Sequence, residues 1–320
     1  MATAKLKIGT RGSPLALAQA EDVRDRLVAA HDDLSVDSIE ISVIKTSGDR
    51  ILDRHLMNAG GKGLFTKEIE DALSAGSIDC AVHSSKDMPT ALPDGLELAV
   101  FLEREDPRDV FISPRFSHFL DLPKGAVVGT ASLRRRAQAL RLRPDLKIVT
   151  FRGNVQTRLR KLQEGDADAT FLALAGLNRL SMTATATERL TLEDFLPAPA
   201  QGAVTIEVRT GDGQIAARLL PLHHEDTALA VAAERALLAS LDGSCRTPIA
   251  AHATRQGKSI IMQAMLLSLD GQTVFQANGT ASASLADAAL LGAGLGEKIR
   301  VDAGPAFFDD LATQVKREFA

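Results

Sequence analysis

The chain has 320 residues, a mass of 34.0 kDa and two cysteines, so we expect two or three domains that need no disulfide bonds. Its 45% hydrophobic and 24% charged residues are typical of a globular protein. No uncharged apolar run is long enough to cross a membrane and the N-terminus lacks a secretory signal, which predicts a cytoplasmic protein. Because Trp and Tyr are absent, base-stacking recognition of nucleic acid is disfavoured.

The first hundred residues alternate between strand and helix patterns. Ser13, a good N-cap, and Pro14, which suits the first turn, predict a helix over 13–30. Apolar alternation or helical spacing identifies the other elements, which are strands over 5–10, 38–45, 78–82 and 96–101 and a helix over 64–75. Repeated strand–helix units predict an α/β fold with mainly parallel sheets.

A Pro-rich stretch over 102–123 predicts a change of structural unit, after which the pattern starts again. Strands are expected over 126–129, 146–151, 169–174 and 203–208, helices over 132–143 and 154–164, and a linker over 197–202. The last third predicts a small α+β domain with a helix over 226–240, strands over 249–254, 259–269 and 273–278, and helices over 284–299 and 306–319. Asp270 and Gly271 are a hairpin signal between the last two strands.

Positive charge is concentrated in one segment. Between Thr130 and Lys161 there are ten Lys and Arg residues and one acid, Asp145, so the segment carries a formal charge of +9 in a protein of net charge −4. Such one-sided charge favours a local anionic ligand, although any single Arg is as well explained as a solvated surface residue. A nucleic-acid-binding protein would more often be basic over a whole face or domain.

Three strand-to-helix junctions, at 9–13, 129–132 and 152–154, place small residues, hydroxyl groups or an amide at the start of a helix. Free backbone N–H groups at a helix N-terminus bind anions, and a neighbouring Arg can hold a carboxylate with two parallel hydrogen bonds. The three junctions together predict a site for several carboxylates. Ordinary N-capping by Ser and Thr is the alternative explanation for each one.

Asp87 follows the strand over 78–82, at the kind of strand end where α/β sheets bind ligands. A turn-forming role before Pro89 explains it equally well, and the adjacent Lys86 would favour its ionised form. Cys245 lies in a polar turn and is a candidate nucleophile or attachment site. Cys80 lies within an apolar strand and is predicted to be a core residue.

Two adjacent histidines, His223 and His224, raise the question of a metal site. No Cys or His cluster with ligand spacing accompanies them, so we favour a structural role and predict no metal. Asp226 is expected to cap the helix that follows.

Together these segments closely resemble the porphobilinogen deaminase (hydroxymethylbilane synthase) family. The resemblance runs from residue 8 to about residue 250, and the order of many long motifs makes it specific. In chain order the motifs are IGTRGSPLAL over 8–17, GGKGLFTKE over 60–68, AVHSSKD over 81–87, REDPRD over 104–109, LRR over 133–135, RGNV over 152–155, AGL over 175–177, QG over 201–202 and HHE over 223–225.

The resemblance implies three domains. Residues 1–102 and 201–222 would form domain 1 and residues 103–200 domain 2, both α/β lobes like those of periplasmic binding proteins, with mainly parallel sheets. Residues 223–320 would form a small α+β domain that carries Cys245.

The resemblance also implies a transferase of tetrapyrrole biosynthesis. It would join four porphobilinogen molecules head to tail into hydroxymethylbilane, with loss of ammonia. A dipyrromethane cofactor made from substrate would be attached to Cys245 through a thioether. We expect a cytoplasmic monomer with a small-molecule substrate and neither a nucleic-acid nor a membrane partner.

Individual roles follow residue by residue from the same resemblance. Asp87 would be catalytic, binding pyrrole N–H groups and stabilising the cation left when ammonia departs. The other cofactor-binding residues would be Ser84, Lys86, Thr130, Ser132, Arg134 and Arg135. The substrate-binding residues would be Arg11, Ser13, Gln19, Lys62, Phe65, Arg152, Gly153, Asn154, Arg158 and Gln201. The chain departs from the family at Ala131, where a second Ser is frequent, and at Ser244, where Gly is common.

Two other functions compete with this interpretation. A cytoplasmic protein that binds an anionic ligand could use the same two lobes, in which case Cys245 would carry no pyrrole adduct. An RNA-binding protein could use the Arg-rich segment, but the net charge of −4 and the few aromatic residues argue against it.

Overall fold

The computed structural model describes residues 5–47, 66–243 and 247–319. The chain divides into two compact units, which we call unit 1 (Met1–Arg104 with Ala203–Ala228) and unit 2 (Glu105–Gly202 with Leu229–Ala320). The division into three domains stays a prediction.

Strands and helices alternate through most of the described ranges. The strands are β1 Leu6–Thr10, β2 Ile39–Val43, β3 Cys80–Ser84, β4 Leu96–Phe101, β5 Asp109–Ile112, β6 Val127–Gly129, β7 Lys147–Val149, β8 Ala169–Ala173, β9 Glu188–Arg189, β10 Val204–Arg209, β11 Ile249–Gln256, β12 Ser259–Leu267 and β13 Val274–Ser282. The helices are α1 Pro14–Ala30, α2 Lys67–Ser74, α3 Leu133–Leu142, α4 Val155–Gln163, α5 Leu174–Arg179, α6 Gly213–Leu219, α7 Glu225–Ser240 and α8 Leu285–Phe319.

Unit 1 is built on a five-stranded sheet with the order β2-β1-β3-β10-β4. β1 pairs in parallel with β2 and β3, whereas β10 is antiparallel to β3 and β4. Apolar side chains cover both faces. Val23 and Leu27 of α1 belong to one buried cluster with strand residues such as Ile8, and Ile69 and Leu73 of α2 belong to a second.

Unit 2 contains a second five-stranded sheet, with the order β7-β6-β8-β5-β9. β6 pairs in parallel with β7 and β8, and β5 is antiparallel to β8 and β9. One face is covered by an aromatic cluster in which Phe171 lies 6.2 Å from Phe111, 5.4 Å from Phe119 and 5.1 Å from Phe195, between ring centroids. These rings stabilise the sheet mainly by the apolar area that they bury.

Unit 2 also includes an antiparallel sheet of β11, β12 and β13, with α8 packed against it. The hairpin predicted at Asp270 and Gly271 is present, and Gly271 has a φ of +72°. A Cβ there would lie 2.2 Å from the carbonyl oxygen of Ala137, so no other residue fits. α8 is interrupted at Gly304 and Pro305, which confirms the two predicted helices.

The α/β class and the small α+β region are confirmed, but the five-stranded sheets are mixed rather than mainly parallel throughout. The reason lies in β5 and β10, which each follow a segment where the chain passes from one unit to the other and which enter their sheets in the antiparallel direction. The short elements β5, β9, α5 and α6 were not predicted, because each has only two to seven residues. In the described part of the chain, no helix has the length and apolar character needed to span a membrane.

Candidate active site

In unit 1, the ends of two neighbouring parallel strands bring the predicted site residues to one edge of the sheet. Gly9 of β1 pairs with Ala81 of the parallel strand β3, so the carboxyl ends of both strands lie at the same edge of the sheet. Thr10 stabilises this edge because its hydroxyl oxygen lies 3.3 Å from the carbonyl oxygen of Ala16 and 3.4 Å from that of Val82, and its one hydrogen can be donated to either. The carboxyl ends of β1 and β3 therefore form one surface.

Ser13 begins α1 at this edge. Its hydroxyl accepts a hydrogen bond from the amide of Ala16 at 3.2 Å, as an N-cap should. Arg11, two residues earlier, is half-buried. The N-terminus of α1 thus presents backbone N–H groups beside a guanidinium group, a combination that suits a carboxylate.

Gln19 and Ser84 are brought into contact although 65 residues separate them. The Gln19 Nε2 and Oε1 atoms lie 3.0 and 3.1 Å from the Ser84 hydroxyl oxygen. Gln19 is 3% exposed and Ser84 is half-buried, so only the serine is open to a ligand. The structure therefore places Gln19 behind Ser84.

Asp87 lies on a single 3-10 turn, Ser85–Asp87, that follows β3 directly. The amide of Ser85 donates to the carbonyl oxygen of Ala203 at 3.0 Å, and the amide of Met88 closes the turn on Ser85 at 3.2 Å. Met88 and Ser85 are buried while Asp87 is exposed. A rigid backbone thus presents an accessible carboxylate, with Lys86 beside it.

In unit 2, a matching junction joins β6 to α3. Ser132 is the N-cap and accepts from the amide of Arg135 at 3.4 Å, and the hydroxyl of Thr130 accepts from the amide of Ser132 at 3.2 Å. A small cavity opens here and is lined by Thr130, Ala131 and Ser132 together with Arg136. Both hydroxyl groups predicted to bind cofactor therefore border one concave surface.

Close packing favours glycine near the ends of β1 and β6. A Cβ on Gly9, the last residue but one of β1, would lie 2.3 Å from the Ile78 side chain, and a Cβ on Gly129, the last residue of β6, would lie 2.5 Å from the ring of Phe151. Both strand ends therefore pack directly against a buried core side chain.

A third junction follows β7. Asn154 caps α4 by accepting hydrogen bonds from the amide and hydroxyl of Thr157, both at 2.9 Å. Gly153 has a φ of +117°, which only glycine adopts without strain, and its carbonyl oxygen accepts from Nε of Arg158 at 2.8 Å. Since β6 and β7 are parallel neighbours, Arg152, Gly153 and Asn154 leave the sheet at the same edge as Thr130.

Arg134 and Arg135 are buried against a carboxylate that the sequence analysis did not single out. Both pair with Asp109 at 2.7 Å, and Asp109 is fully buried. Nη1 of Arg134 also donates to the carbonyl oxygen of Leu196 at 2.8 Å, and Nη1 of Arg135 donates to that of Phe171 at 3.0 Å. Burial by itself raises the pKa of the Asp109 carboxyl, but the charges of the two arginines outweigh it and hold that pKa well below its usual range.

Gln201 joins the same network. Its Nε2 atom donates to Oδ1 of Asp109 at 3.0 Å and to the carbonyl oxygen of Pro107 at 2.8 Å, and the residue is 1% exposed. The structure thus places Gln201 beside Asp109 inside unit 2.

Ion pairs with acids outside the positively charged segment offset part of its charge. Asp109 pairs with Arg134 and Arg135 at 2.7 Å, and Glu164 pairs with Arg160 at 2.6 Å. Arg143 pairs with Asp145 at 2.7 Å, but that acid is already included in the formal charge. The formal charge of +9 therefore overstates the charge that a ligand would meet.

Three residues of the predicted site, Lys62, Phe65 and Cys245, lie outside the described residues. The other cysteine, Cys80, is fully buried, which confirms the prediction of a core position. Burial raises the pKa of the Cys80 thiol to about 12, so this sulfur stays protonated and unreactive.

The adjacent histidines have structural contacts. His224 caps α7, because its Nδ1 accepts a hydrogen bond from the amide of Thr227 at 3.3 Å. The prediction that Asp226 is the cap was therefore wrong by two residues. The His223 ring packs edge-on against Phe101 at 6.4 Å. Within the described ranges, no group of three or more His, Cys, Asp or Glu residues is arranged to hold a metal ion.

Sequence reasoning missed two fully buried acids that lie in strands, Asp109 and Glu207. Asp109 opens the apolar run of β5 and Glu207 stands in the middle of the apolar run of β10, where a charged residue is unexpected. An acid inside a strand buried on both faces is the signal that could have found them. Glu207 accepts from, or donates to, Nε2 of His83 at 3.0 Å according to their protonation.

The fold and these strand ends define an α/β protein whose units each have capped helix N-termini with groups that suit carboxylates. Two family models match the chain. The model for "Porphobilinogen deaminase, dipyromethane cofactor binding domain" matches residues 6–217, and the model for "Porphobilinogen deaminase, C-terminal domain" matches residues 228–301. The chain belongs to the porphobilinogen deaminase family, and it contains that family's dipyrromethane cofactor-binding domain.

Relatives of known name agree. The porphobilinogen deaminases of Nitrobacter hamburgensis and Nitrobacter winogradskyi are each 56% identical to this chain over 301 residues, which is 94% of this chain and 94% of the relative. Among solved structures, an arginine-specific periplasmic binding protein of Salmonella typhimurium matches with a TM-score of 0.40 and 15% identity, over 69% of this chain and 92% of its own.

Proposed function

We propose that this protein condenses four porphobilinogen molecules, head to tail, into the linear tetrapyrrole hydroxymethylbilane and releases ammonia. The observation that supports it best is the pairing of an accessible carboxylate, Asp87, with capped helix N-termini that suit acidic substituents. Each pyrrole of such a chain carries an acetate and a propionate, so negative charge accumulates as units are added.

The residues present suit a dipyrromethane group. Its carboxylates suit the backbone N–H groups and capping hydroxyls found, in each unit separately, at the start of α1 and at the start of α3. Within unit 2, the small cavity at Thr130 and Ser132 offers a concave surface for an acidic substituent. When bound, the group supplies a pyrrole ring to which substrate units are added. We assign Cys245 as the residue that carries it, and Ser84, Lys86, Thr130 and Ser132 as residues that bind it.

Asp87 has the central role in the chemistry. When ammonia leaves porphobilinogen, positive charge develops on the pyrrole that remains, and a carboxylate held beside the ring N–H stabilises that charge. The short turn over Ser85–Asp87 fixes the position of this carboxylate before substrate arrives. Because this carboxylate is already in position, it lowers the activation barrier for loss of ammonia without a rearrangement of the protein.

Unit 2 supplies positive charge for the acidic substituents. Arg152 and Arg158, with Gly153 and Asn154, form the junction after β7, and we assign them to the substrate together with Arg11 and Ser13 of unit 1. Substrate roles for Lys62 and Phe65 remain part of the proposal. Gln19 and Gln201 are 3% and 1% exposed, so their proposed substrate roles would be indirect, through Ser84 and Asp109 respectively. Arg134 and Arg135 would meet the cofactor while Asp109 keeps them oriented.

The test is the intact mass of the purified, denatured protein. We expect an excess equal to two linked pyrrole units, absent from Cys245→Ala and retained in the control Cys80→Ala, because the Cys80 thiol is buried. The chain has neither Trp nor Tyr, so any colour of the purified protein would come from the bound group and gives a second readout.

An unmodified wild-type mass would call for incubation with porphobilinogen and a second weighing. If the mass then still did not change, the assignment would be wrong. If the excess persisted in Cys245→Ala, the attachment site would lie elsewhere.

A further inference from the structure

A polar cluster is buried in an apolar face of unit 1. His83, Glu207 and Glu70 are 5%, 0% and 7% exposed, and the surrounding core consists of residues such as Ile69 and Leu73. Burying ionisable groups costs free energy unless they are paired. The proposed chemistry uses none of these three residues, so their presence calls for another explanation.

Sheet register brings the cluster together. His83 of β3 lies opposite Thr205 of β10, which places Glu207, two residues further along β10, on the same face of the sheet. Nε2 of His83 and Oε2 of Glu207 are 3.0 Å apart, and this contact joins the two strands through their side chains. Glu70 reaches the same face from α2.

Two carboxylate oxygens of the cluster lack hydrogen bonds. Oε1 of Glu70 and Oε1 of Glu207 have no hydrogen-bond partner among the described residues. Burial raises the pKa of the Glu70 carboxyl, and the nearby charge of Glu207 raises it further, whereas the hydrogen bond of Thr66 opposes this. The contact of Oε2 of Glu207 with His83 is therefore a pairing that offsets the cost of burying this carboxyl group.

The contact lies immediately before the turn that carries Asp87. Ser84, the residue after His83, pairs with Val204, and the amide of Ser85 donates to the carbonyl oxygen of Ala203 at 3.0 Å. The turn over Ser85–Asp87 therefore takes its position from the register between β3 and β10. The contact of His83 with Glu207 is a side-chain hydrogen bond that joins these two strands next to the turn.

We propose that His83 is a positioning residue for Asp87, acting through its contact with Glu207, which holds the end of β3 against β10. This inference rests on the proposed function of Asp87. A displacement of about 1 Å at a reacting group can cost a factor of about 100 in rate. Loss of the contact should therefore lower kcat while leaving the carboxylate-binding residues, and hence KM, unchanged.

The experiment compares His83→Ala, His83→Gln and Glu207→Met by steady-state formation of hydroxymethylbilane. We expect kcat to fall about 100-fold in His83→Ala and about 10-fold in Glu207→Met, with KM within about twofold of wild type. In His83→Gln, an amide nitrogen replaces Nε2 and should restore most of kcat. The cofactor adduct should persist in all three variants by intact mass.

Thr205→Val is the matched control. Thr205 is buried on the same strand, and its hydroxyl donates to the carbonyl oxygen of Val100 at 3.1 Å. We expect this variant to lower the melting temperature by far-UV circular dichroism without changing kcat. An equal loss of kcat in Thr205→Val, or unchanged kcat in both His83→Ala and Glu207→Met, would overturn the inference.

Two further outcomes separate the possible failures. Should His83→Ala not fold, Glu207→Met decides, because it replaces a buried carboxylate with an apolar side chain of similar length. If wild-type protein forms no hydroxymethylbilane from porphobilinogen, the proposed function fails. If wild type is active and the loss appears in KM or in the adduct rather than in kcat, only the positioning role fails.

Discussion

The two five-stranded sheets share one strand order, but the buried acid in each sheet has a different kind of side-chain partner. The antiparallel strand of unit 1 carries Glu207 and that of unit 2 carries Asp109, and both are fully buried. Glu207 contacts His83, which can be neutral, whereas Asp109 contacts two arginines, which are always charged.

This difference follows what each sheet presents at its edge. In unit 1 the acid is partnered within the sheet, and the exposed functional group is the carboxylate of Asp87. In unit 2 the acid offsets part of a cationic segment, and the carboxyl ends of the strands carry the buried hydroxyl of Thr130, the half-buried hydroxyl of Ser132 and the half-buried arginines near β7. Sheets with the same strand order therefore accommodate a buried acid with a histidine partner in one unit and a buried acid with two arginine partners in the other.

Removing the carboxylate of Asp87 should have the largest effect on activity. We expect Asp87→Asn to fold normally but to lose a factor of about 1000 in kcat, because a neutral amide does not stabilise a developing cation. Steady-state formation of hydroxymethylbilane measures it. Asp94→Asn, at another exposed position of unit 1, is the control and should be fully active. Near-normal turnover in Asp87→Asn would contradict the role assigned to it.

The buried acids should differ in what they contribute to stability. Asp109→Asn leaves two buried arginines without their counter-charge, so we expect a loss of about 3–5 kcal/mol in the free energy of unfolding. Glu207→Gln leaves a neutral pair with His83 and should cost about 1 kcal/mol. Urea denaturation followed by far-UV circular dichroism measures both. Equal losses would show that the different partners do not matter.

The smallest effect should be a dependence on pH. The lowered pKa of Asp109 contributes stability that is complete above its unfolded value of about 4 and is lost as the pH falls below it. The raised pKa of Glu70 has the opposite effect on stability. Its contribution to the free energy of unfolding is complete below about pH 4 and is lost as the pH rises through the pKa of the folded state.

Glu70→Gln should therefore gain stability relative to wild type as the pH rises from about 4 to about 8. Asp109→Asn should lose more relative to wild type at about pH 7 than at about pH 3. Urea midpoints measured across this range test both signs. A Glu70→Gln difference that shrinks with rising pH would contradict the contribution assigned to this residue.

Much of the fold could be predicted because it depends on local patterns. The capping residues Ser13, Ser132 and Asn154 all begin helices as expected, since each side chain satisfies a backbone N–H group of its own helix. Short elements such as β9 were missed because two residues are too few to show an alternation of apolar and polar side chains. The direction of β5 and β10 was missed because strand direction is decided by pairing.

The candidate site divides in the same way. The placement of Asp87 on a turn after a strand could be predicted from its neighbours, and so could the three capped helix N-termini. The partners of Arg134 and Arg135 could not, because Asp109 is 26 residues distant from Arg135 along the chain and meets it only when β5 enters the sheet. Local charge along a sequence does not reveal which charges are offset in the folded protein.

The sequence by itself determined the α/β class, the family, the capped junctions and the exposed acid, because these depend on residue order over a few turns. Only the tertiary structure decided the mixed sheets, the contact of His83 with Glu207 and the burial of Arg134 and Arg135 against Asp109. Such contacts join residues far apart in the chain. Their free energy comes from burial and pairing that exist only after the strands have met.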